Sequence, residues 1–312
     1  MITLGIETSC DETSCAILEN GNKIRANVIS SSLKKHVPYG GVVPEIASRH
    51  SLAAIHTVFE TALRVAKIKP EKIDLIAVTK GPGLVGSLLV GVSFAKGLAF
   101  GLGKPLIGVH HLEAHLASNF IHREKPKKPF IGLVVSGGHT SILYVKNSRY
   151  EEIGSTVDDA VGEAYDKSAK LLGLGFPGGP VMDRLAQTGN PKAYPFTKPK
   201  LDGRFNFSFS GIKTAVLHQV QGTNGQAKSK WTGKKLRDLC ASFQFSVTNW
   251  IIEKTLLACE EKKSETIVVG GGVSANSRLR SVLESECRLR GYTLFIPPFE
   301  LTLDNGVMIA RM

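Results

Sequence analysis

The 312 residues, 42% of them hydrophobic, are enough for two domains with real cores, and describe an ordinary soluble globular protein. No positive-then-apolar leader opens the chain, and Cys10, Cys15, Cys240, Cys259 and Cys287 form no C-x-x-C pair and leave one unpaired. Secretion is therefore not expected, and a reduced cytoplasm fits best. A net charge of +12 points to a polyanionic partner, because basic surface neutralises phosphates and releases their counterions.

In chain order, Ile2-Thr3-Leu4-Gly5-Ile6 and Ser14-Cys15-Ala16-Ile17-Leu18 read as a β-hairpin, with Asp11 and Glu12 on local grounds simple turn residues. A helix over residues 45–66, the strand Leu75-Ile76-Ala77-Val78 and a glycine-punctuated helix from Leu84 follow. Residues 84–102 are the most apolar stretch, but Lys96, two serines and several glycines favour a buried helix over a membrane span. The next strand ends at His110-His111-Leu112-Glu113-Ala114-His115. His111 and His115 are four apart and share a helical face, as a divalent ion requires, although unligated pairs also occur. In the H-E-x-x-H motif of metallopeptidases the glutamate lies beside the metal. Here Glu113 falls about 200° around the helix from both histidines, which suits a metal site without a water-activating base.

Beyond the linker-like Lys125-Pro126-Lys127-Lys128-Pro129, the opening pattern returns. Phe130-Ile131-Gly132-Leu133-Val134-Val135, a turn at Ser136-Gly137-Gly138-His139-Thr140, and Ser141-Ile142-Leu143-Tyr144-Val145 repeat strand, small-residue turn and strand, so the chain reads as a duplicated α/β domain. Glycine loops at Gly81-Pro82-Gly83, Ser136-Gly137-Gly138, Gly173-Leu174-Gly175-Phe176-Pro177-Gly178-Gly179-Pro180 and Gly270-Gly271-Gly272-Val273-Ser274-Ala275-Asn276 follow apolar segments. One such loop is often only a tight turn, but together they suit lobes that cradle a nucleotide. Asp166 and Lys167 read locally as an exposed helix face, and Asp304 as a helix N-cap.

Residues 191–235 read as an irregular basic insertion. Between Lys192 and Arg237, Lys198, Lys200, Arg204, Lys213, Lys228, Lys230, Lys234 and Lys235 alternate with Tyr194, Phe196, Phe205, Phe207, Phe209 and Trp231. The mixture suits looped RNA, and equally a solvated loop with lysines for solubility.

Ile6-Glu7-Thr8-Ser9-Cys10-Asp11-Glu12-Thr13, Tyr39-Gly40-Gly41-Val42-Val43-Pro44-Glu45, Gly81-Pro82-Gly83-Leu84, the histidine segment, Val134-Val135-Ser136-Gly137-Gly138-His139-Thr140, Phe207-Ser208-Phe209-Ser210-Gly211-Ile212-Lys213-Thr214, Gly271-Gly272-Val273-Ser274-Ala275-Asn276 and Asp304-Asn305-Gly306 resemble, in order, the motifs of the bacterial tRNA N6-adenosine threonylcarbamoyltransferases (the TsaD family, formerly named glycoproteases). The resemblance spans almost the whole chain. It implies an α/β fold of two RNase-H-like lobes, of the actin/Hsp70/sugar-kinase type, here residues 1–125 and 126–312, with a nucleotide in the cleft. It further implies one divalent metal on His111, His115 and Asp304, iron favoured and zinc possible. Val134, Val135, Ser136, Gly137, Gly138, Asp166, Gly179, Asp183 and Asn276 would hold threonylcarbamoyl-adenylate, and Asp11 and Glu12 would face its reacting end.

The activity implied is transfer of the threonylcarbamoyl group to N6 of adenosine 37 in the tRNA anticodon arm, with release of AMP. Implied partners are a related non-catalytic protein, a small ATPase and an adenylate-forming synthase, with no membrane involved. Members of that family continue past the helix near Asp304, whereas this sequence stops at Arg311-Met312, which is expected to weaken lobe packing or a partner contact. The competing readings are a metallo-endopeptidase, disfavoured by Glu113, a sugar kinase or ATPase of the same fold class, disfavoured by the histidines, and a non-enzymatic RNA-binding module.

Overall fold

The computed structural model describes residues 1–126, 128–221 and 231–312. In chain order the elements are β1 (Ile2–Glu7), β2 (Glu12–Glu19), β3 (Lys23–Ser31), α1 (Leu33–His36), α2 (Pro44–Ala66), β4 (Leu75–Gly81), α3 (Val85–Leu102), β5 (Leu106–His110) and α4 (His111–Ala117). There follow β6 (Phe130–Val135), β7 (Thr140–Lys146), β8 (Arg149–Ser155), α5 (Val161–Leu171), α6 (Gly179–Ala186), α7 (Ser210–Gln221), α8 (Gly233–Lys262), β9 (Thr266–Gly270), α9 (Ser277–Arg290), β10 (Thr293–Phe295) and α10 (Gly306–Arg311). The chain divides into two units, Met1–Lys125 with Pro297–Met312, and Pro126–Ile296.

Each unit holds one five-stranded sheet, ordered β3-β2-β1-β4-β5 in the first and β10-β9-β6-β7-β8 in the second. These are the same arrangement. A central strand begins an antiparallel meander on one side, and two later strands join parallel on the other. Parallel neighbours need a crossover, and α3 and α9 supply it for the outermost strands. The duplication read from the sequence is thus a duplication of topology.

In the first unit Leu4, Ile6, Ile17, Ile76 and Val78 from the sheet pack on Ile55, Phe59 and Leu63 of α2 and on Ala95 and Ala99 of α3. The opposite face takes α10, whose Val307, Met308 and Ile309 are buried with Ala16, Leu18, Ala77 and Val109. Backbone meets backbone there: a Cβ on Gly5 would lie 2.1 Å from Gly306 O. Residues 297–312, expected in the second lobe, therefore belong to the first. Their apolar helix finds a ready strand face there, which sequence proximity to α9 does not reveal. In the second unit Leu133, Val135, Ile142, Ile267 and Val269 pack on Phe243, Val247 and Ile251 of α8.

Two further expectations are corrected. Helix α3 is not a buried helix, since it turns a stripe of small residues inward, Ser87, Gly91, Ala95 and Ala99, and leaves Val85, Leu89 and Phe100 exposed. It is long and apolar enough to cross a membrane by length and composition, with 22% of it buried. The basic insertion is only partly irregular, because it contains α7 and the start of α8. Its aromatic residues belong to the core of the unit: Phe207 and Phe209 are fully buried, and Tyr194, Phe196, Phe205 and Trp231 pack against the same cluster. Several of its cations are paired, Lys198 with Glu253, Arg204 with Glu261, Lys213 with Asp159 and Lys234 with Asp238. Lys228 and Lys230, and Lys127 of the linker, lie outside the described residues.

Candidate metal centre and nucleotide loops

Strand β5 runs without a loop into α4, so His111 is the first residue of a helix and His115 lies one turn on, both buried. Their rings meet edge to face with centroids 4.6 Å apart. Asp304 reaches them from the approach to α10, with its Oδ1 3.2 Å from His115 Nε2 and 3.8 Å from His111 Nε2. It does not cap that helix. Asn305 does, accepting from the Met308 N–H at 3.1 Å, which leaves the Asp304 carboxylate available to the histidines.

The three ligand atoms lie within 4.8 Å of one another, a spacing one divalent ion can bridge. The residues also fit such an ion chemically. Neither ring nitrogen of the fully buried His115 has a hydrogen-bond partner, and the 3.2 Å approach to Asp304 lacks hydrogen-bond alignment. A buried nitrogen in that state is destabilising unless a cation takes its lone pair. Glu113 lies outside the cluster, part-exposed, with its charge near Lys125.

Acidic groups gather at this end of β1. Asp11 and Glu12 occupy the turn into β2, and Glu12 accepts from the Ser31 hydroxyl at 3.2 Å. Burial, then the charges of Asp11 and Asp304, push the Glu12 carboxyl up to about 9. Burial favours a neutral His111, but the carboxylates of Asp304 and Glu7 outweigh it and raise the ring to about 9. Such a pocket attracts a cation. Cys10 beside it is driven far above the ordinary thiol range, first by burial and then by the Asp304 and Asp11 charges, which makes it a poor nucleophile.

In the second unit residues 134–138 close β6 and Asn276 follows β9, two strands that run parallel with Val134 opposite Gly270, while Asp166 lies on α5 and Gly179 and Asp183 on α6. Loops leaving one such edge converge. Val134 and Val135 are themselves fully buried in the sheet. The accessible part of their segment is the turn: Ser136 N–H donates to His139 O, His139 N–H to Ser136 Oγ, and Gly137 and Gly138 are exposed with open space beside their α-carbons. Gly271, at φ 94°, presses on this turn, since a Cβ there would lie 2.3 Å from Val135 O.

Asp166 is not an idle helix-face residue. Its Oδ1 accepts from Gly178 N at 2.7 Å and Gly179 N at 3.4 Å, which pins the glycine loop that opens α6. Lys167, by contrast, pairs with Asp159 and Glu163. Asp183 accepts from Ser277 N and Oγ and from the side-chain amides of Asn276 and Gln244. Asn276 also caps α9, and its Nδ2 donates to Gln244 Oε1 at 2.9 Å, with the Tyr165 hydroxyl within reach of both. Tyr165, Gln244 and Ser277 went unseen in the sequence. Gln244 had a signal, as a lone amide inside the apolar run Phe243-Gln244-Phe245-Ser246-Val247.

The family model for tRNA N6-adenosine threonylcarbamoyltransferase matches residues 23–311. A tRNA N6-adenosine threonylcarbamoyltransferase of Thermosipho melanesiensis is 51% identical over 311 residues, covering 99% of this chain and 93% of that protein. Among solved structures, HypF of T. kodakarensis aligns over 99% of this chain and 46% of its own, with TM-score 0.62 at 14% identity. Component A of the Acidaminococcus fermentans (R)-2-hydroxyglutaryl-CoA dehydratase aligns over 100% of this chain and 96% of its own, with TM-score 0.55 at 16% identity. These likenesses place both units in the actin/Hsp70 type of α/β fold.

Proposed function

The chain belongs to the tRNA N6-adenosine threonylcarbamoyltransferase family, and on that premise we propose how its residues carry out the transfer. The protein forms the threonylcarbamoyl modification of adenosine in tRNA. The N6 amine of adenosine 37 attacks the carbonyl of threonylcarbamoyl-adenylate, a C–N bond forms as the bond to the phosphate oxygen breaks, AMP leaves, and the amine gives up a proton. The amine is its own nucleophile, so no glutamate is needed to activate water. The observation that carries this reading is a histidine–aspartate cluster from which Glu113 is excluded.

His111, His115 and Asp304 would hold one divalent ion, iron by preference and zinc as the alternative, which would supply Lewis acidity. The exposed backbone of Gly137 and Gly138, with the buried Ser136 shaping their turn, the pinned start of α6 at Gly179, and the Asp183–Asn276 pair hold the adenylate, with Asp166 acting through the loop it pins. Free N–H groups at such turns favour phosphate. Asp11 and Glu12, beside Asp304, serve the threonylcarbamoyl group. The net positive charge serves the tRNA anticodon arm. A related non-catalytic protein covers the apolar residues that α2 and α3 leave exposed, Leu52, Val85, Leu89 and Phe100. A small ATPase and an adenylate-forming synthase complete the cytoplasmic pathway. Incubating the protein and these partners with threonylcarbamoyl-adenylate and unmodified tRNA, followed by nucleoside mass analysis, tests the reading. An unmodified adenosine with intact partners present would overturn it.

A further inference from the structure

Glu7 ends β1 with its side chain 0% exposed, and among the described residues no lysine or arginine pairs with it. A carboxylate removed from water persists only when its lone pairs are taken by donors. Three groups do so. Oε1 accepts from Ser9 N at 2.5 Å, Oε2 accepts from Thr79 Oγ1 of the neighbouring β4 at 2.5 Å, and His111 Nδ1 stands 3.3 Å from Oε2. The turn and the adjacent strand fix the carboxylate from two sides, so its position does not depend on the histidine.

We propose that Glu7 is the positioning residue of the metal centre. Its carboxylate holds the proton of His111 on Nδ1, so that Nε2, the nitrogen facing Asp304 and His115, keeps its lone pair for the ion. An imidazole that donates from one nitrogen to a carboxylate offers the other as a stronger ligand, in a fixed ring orientation. Ser9 Oγ also lies within reach of Nδ1, at 3.2 Å. A hydroxyl can donate as well as accept and would leave the tautomer open, whereas a carboxylate can only accept. This inference deepens the metal reading above and rests on it.

The informative substitution is Glu7→Gln. The amide keeps shape and can still accept from Ser9 N, but the end that meets His111 becomes a donor, which drives the ring proton to Nε2, where the ion would sit. Zinc affinity of the full chain, measured by competition with a chelating dye, is expected to fall about 10–100-fold. The urea midpoint of the metal-free protein reports the fold separately, and nitrogen NMR of the His111 ring in the zinc-loaded protein reports which nitrogen keeps its proton. Should Glu7→Gln fold poorly, Glu7→Asp, which keeps the charge and withdraws it from the ring, is expected to show the same loss in milder form.

The comparison that isolates the role is the double variant. In a His111→Ala background, Glu7→Gln should change zinc affinity no further, because the two act through one bond. Unchanged zinc affinity in Glu7→Gln, or an equal loss with His111 already absent, would overturn the proposal and leave Glu7 as a structural residue of the turn. A selective loss in Ser9→Ala would transfer the role to Ser9. If the wild-type protein binds no zinc, or if His115→Ala binds it unchanged, the metal reading itself fails and this inference with it.

Discussion

The turn that follows β1 and the turn that follows β6 occupy the same place in two sheets of identical strand order, yet they carry opposite chemistry. The first brings Glu7, Asp11 and Glu12 to the end of its strand, near Asp304 and the imidazoles of α4. The second presents almost bare backbone at Gly137 and Gly138. A frame that places side-chain acceptors in one copy collects positive charge, and one that places peptide N–H groups in the other collects negative charge. On the proposed reading, the duplicated topology sets where each site forms, and a few turn residues set its sign.

Several measurements can break or sharpen that contrast. The largest effect is expected for His115→Ala or Asp304→Ala, which should lower zinc affinity and transfer together by more than the ~100-fold typical of losing a ligand's hydrogen-bond partner. Calorimetric AMP binding should survive. Loss of AMP affinity along with the metal would mean that the two chemistries are not separately housed.

Gly137→Val should do the reverse. Nothing within 4 Å awaits a Cβ there, so the fold should tolerate the change, while the close approach of a phosphate is obstructed. AMP affinity is expected to fall roughly tenfold, the scale of one lost hydrogen bond to a charged group, with zinc affinity untouched. Wild-type AMP affinity would remove the turn from the nucleotide site.

A smaller effect concerns Asp158, which shows a carboxylate of the second unit used without a cation. Burial opposes its charge, but the Ser208 hydroxyl, the Phe209 N–H, and the hydroxyl and N–H of Ser210 hold it below the usual carboxylate range while capping α7. A depressed value means that the stabilisation is complete above the ordinary aspartate value of ~3.9 and is lost as pH falls through the lower folded value. Asp158→Asn should therefore lower the urea midpoint near neutrality, by a small amount because the carboxylate is exposed and screened by water. Its urea midpoint should converge on that of the wild type in acid, and a gap that does not change with pH would rule out the charge as the cause.

The smallest effect is expected for Glu113→Ala, with transfer nearly unchanged. A loss matching that of the histidine variants, with the fold intact, would restore the peptidase-like geometry and undo the assignment of roles around α4.

Much of this was legible in the sequence because it is local. Strand, turn and strand could be read twice from periodicity and glycine placement, and the 100° step of a helix separated Glu113 from His111 and His115. What escaped reading depends on distant partners. Asp304 looks like a cap until Asn305 takes that place, and Glu7 looks like the polar end of a strand until Thr79 and His111 close over it. The aromatics of the basic insertion suggested RNA stacking because alternation with lysine is also what a core-lining loop on a charged surface produces. Helix α3 misled for a related reason, since its small residues face inward and its large apolar ones do not.

The return of α10 to the first sheet has a consequence for biosynthesis. The two histidines are made before the whole of the second unit and Asp304 after it, so a ribosome must complete residues 126–296 before the third ligand exists. A nascent or clipped fragment ending near Lys125 would carry two imidazoles, an acidic turn and the uncovered strand face that α10 occupies in the finished protein. Such a fragment would expose apolar surface, while the completed chain gains the full set of proposed ligands and the cover for that surface in the same closing step.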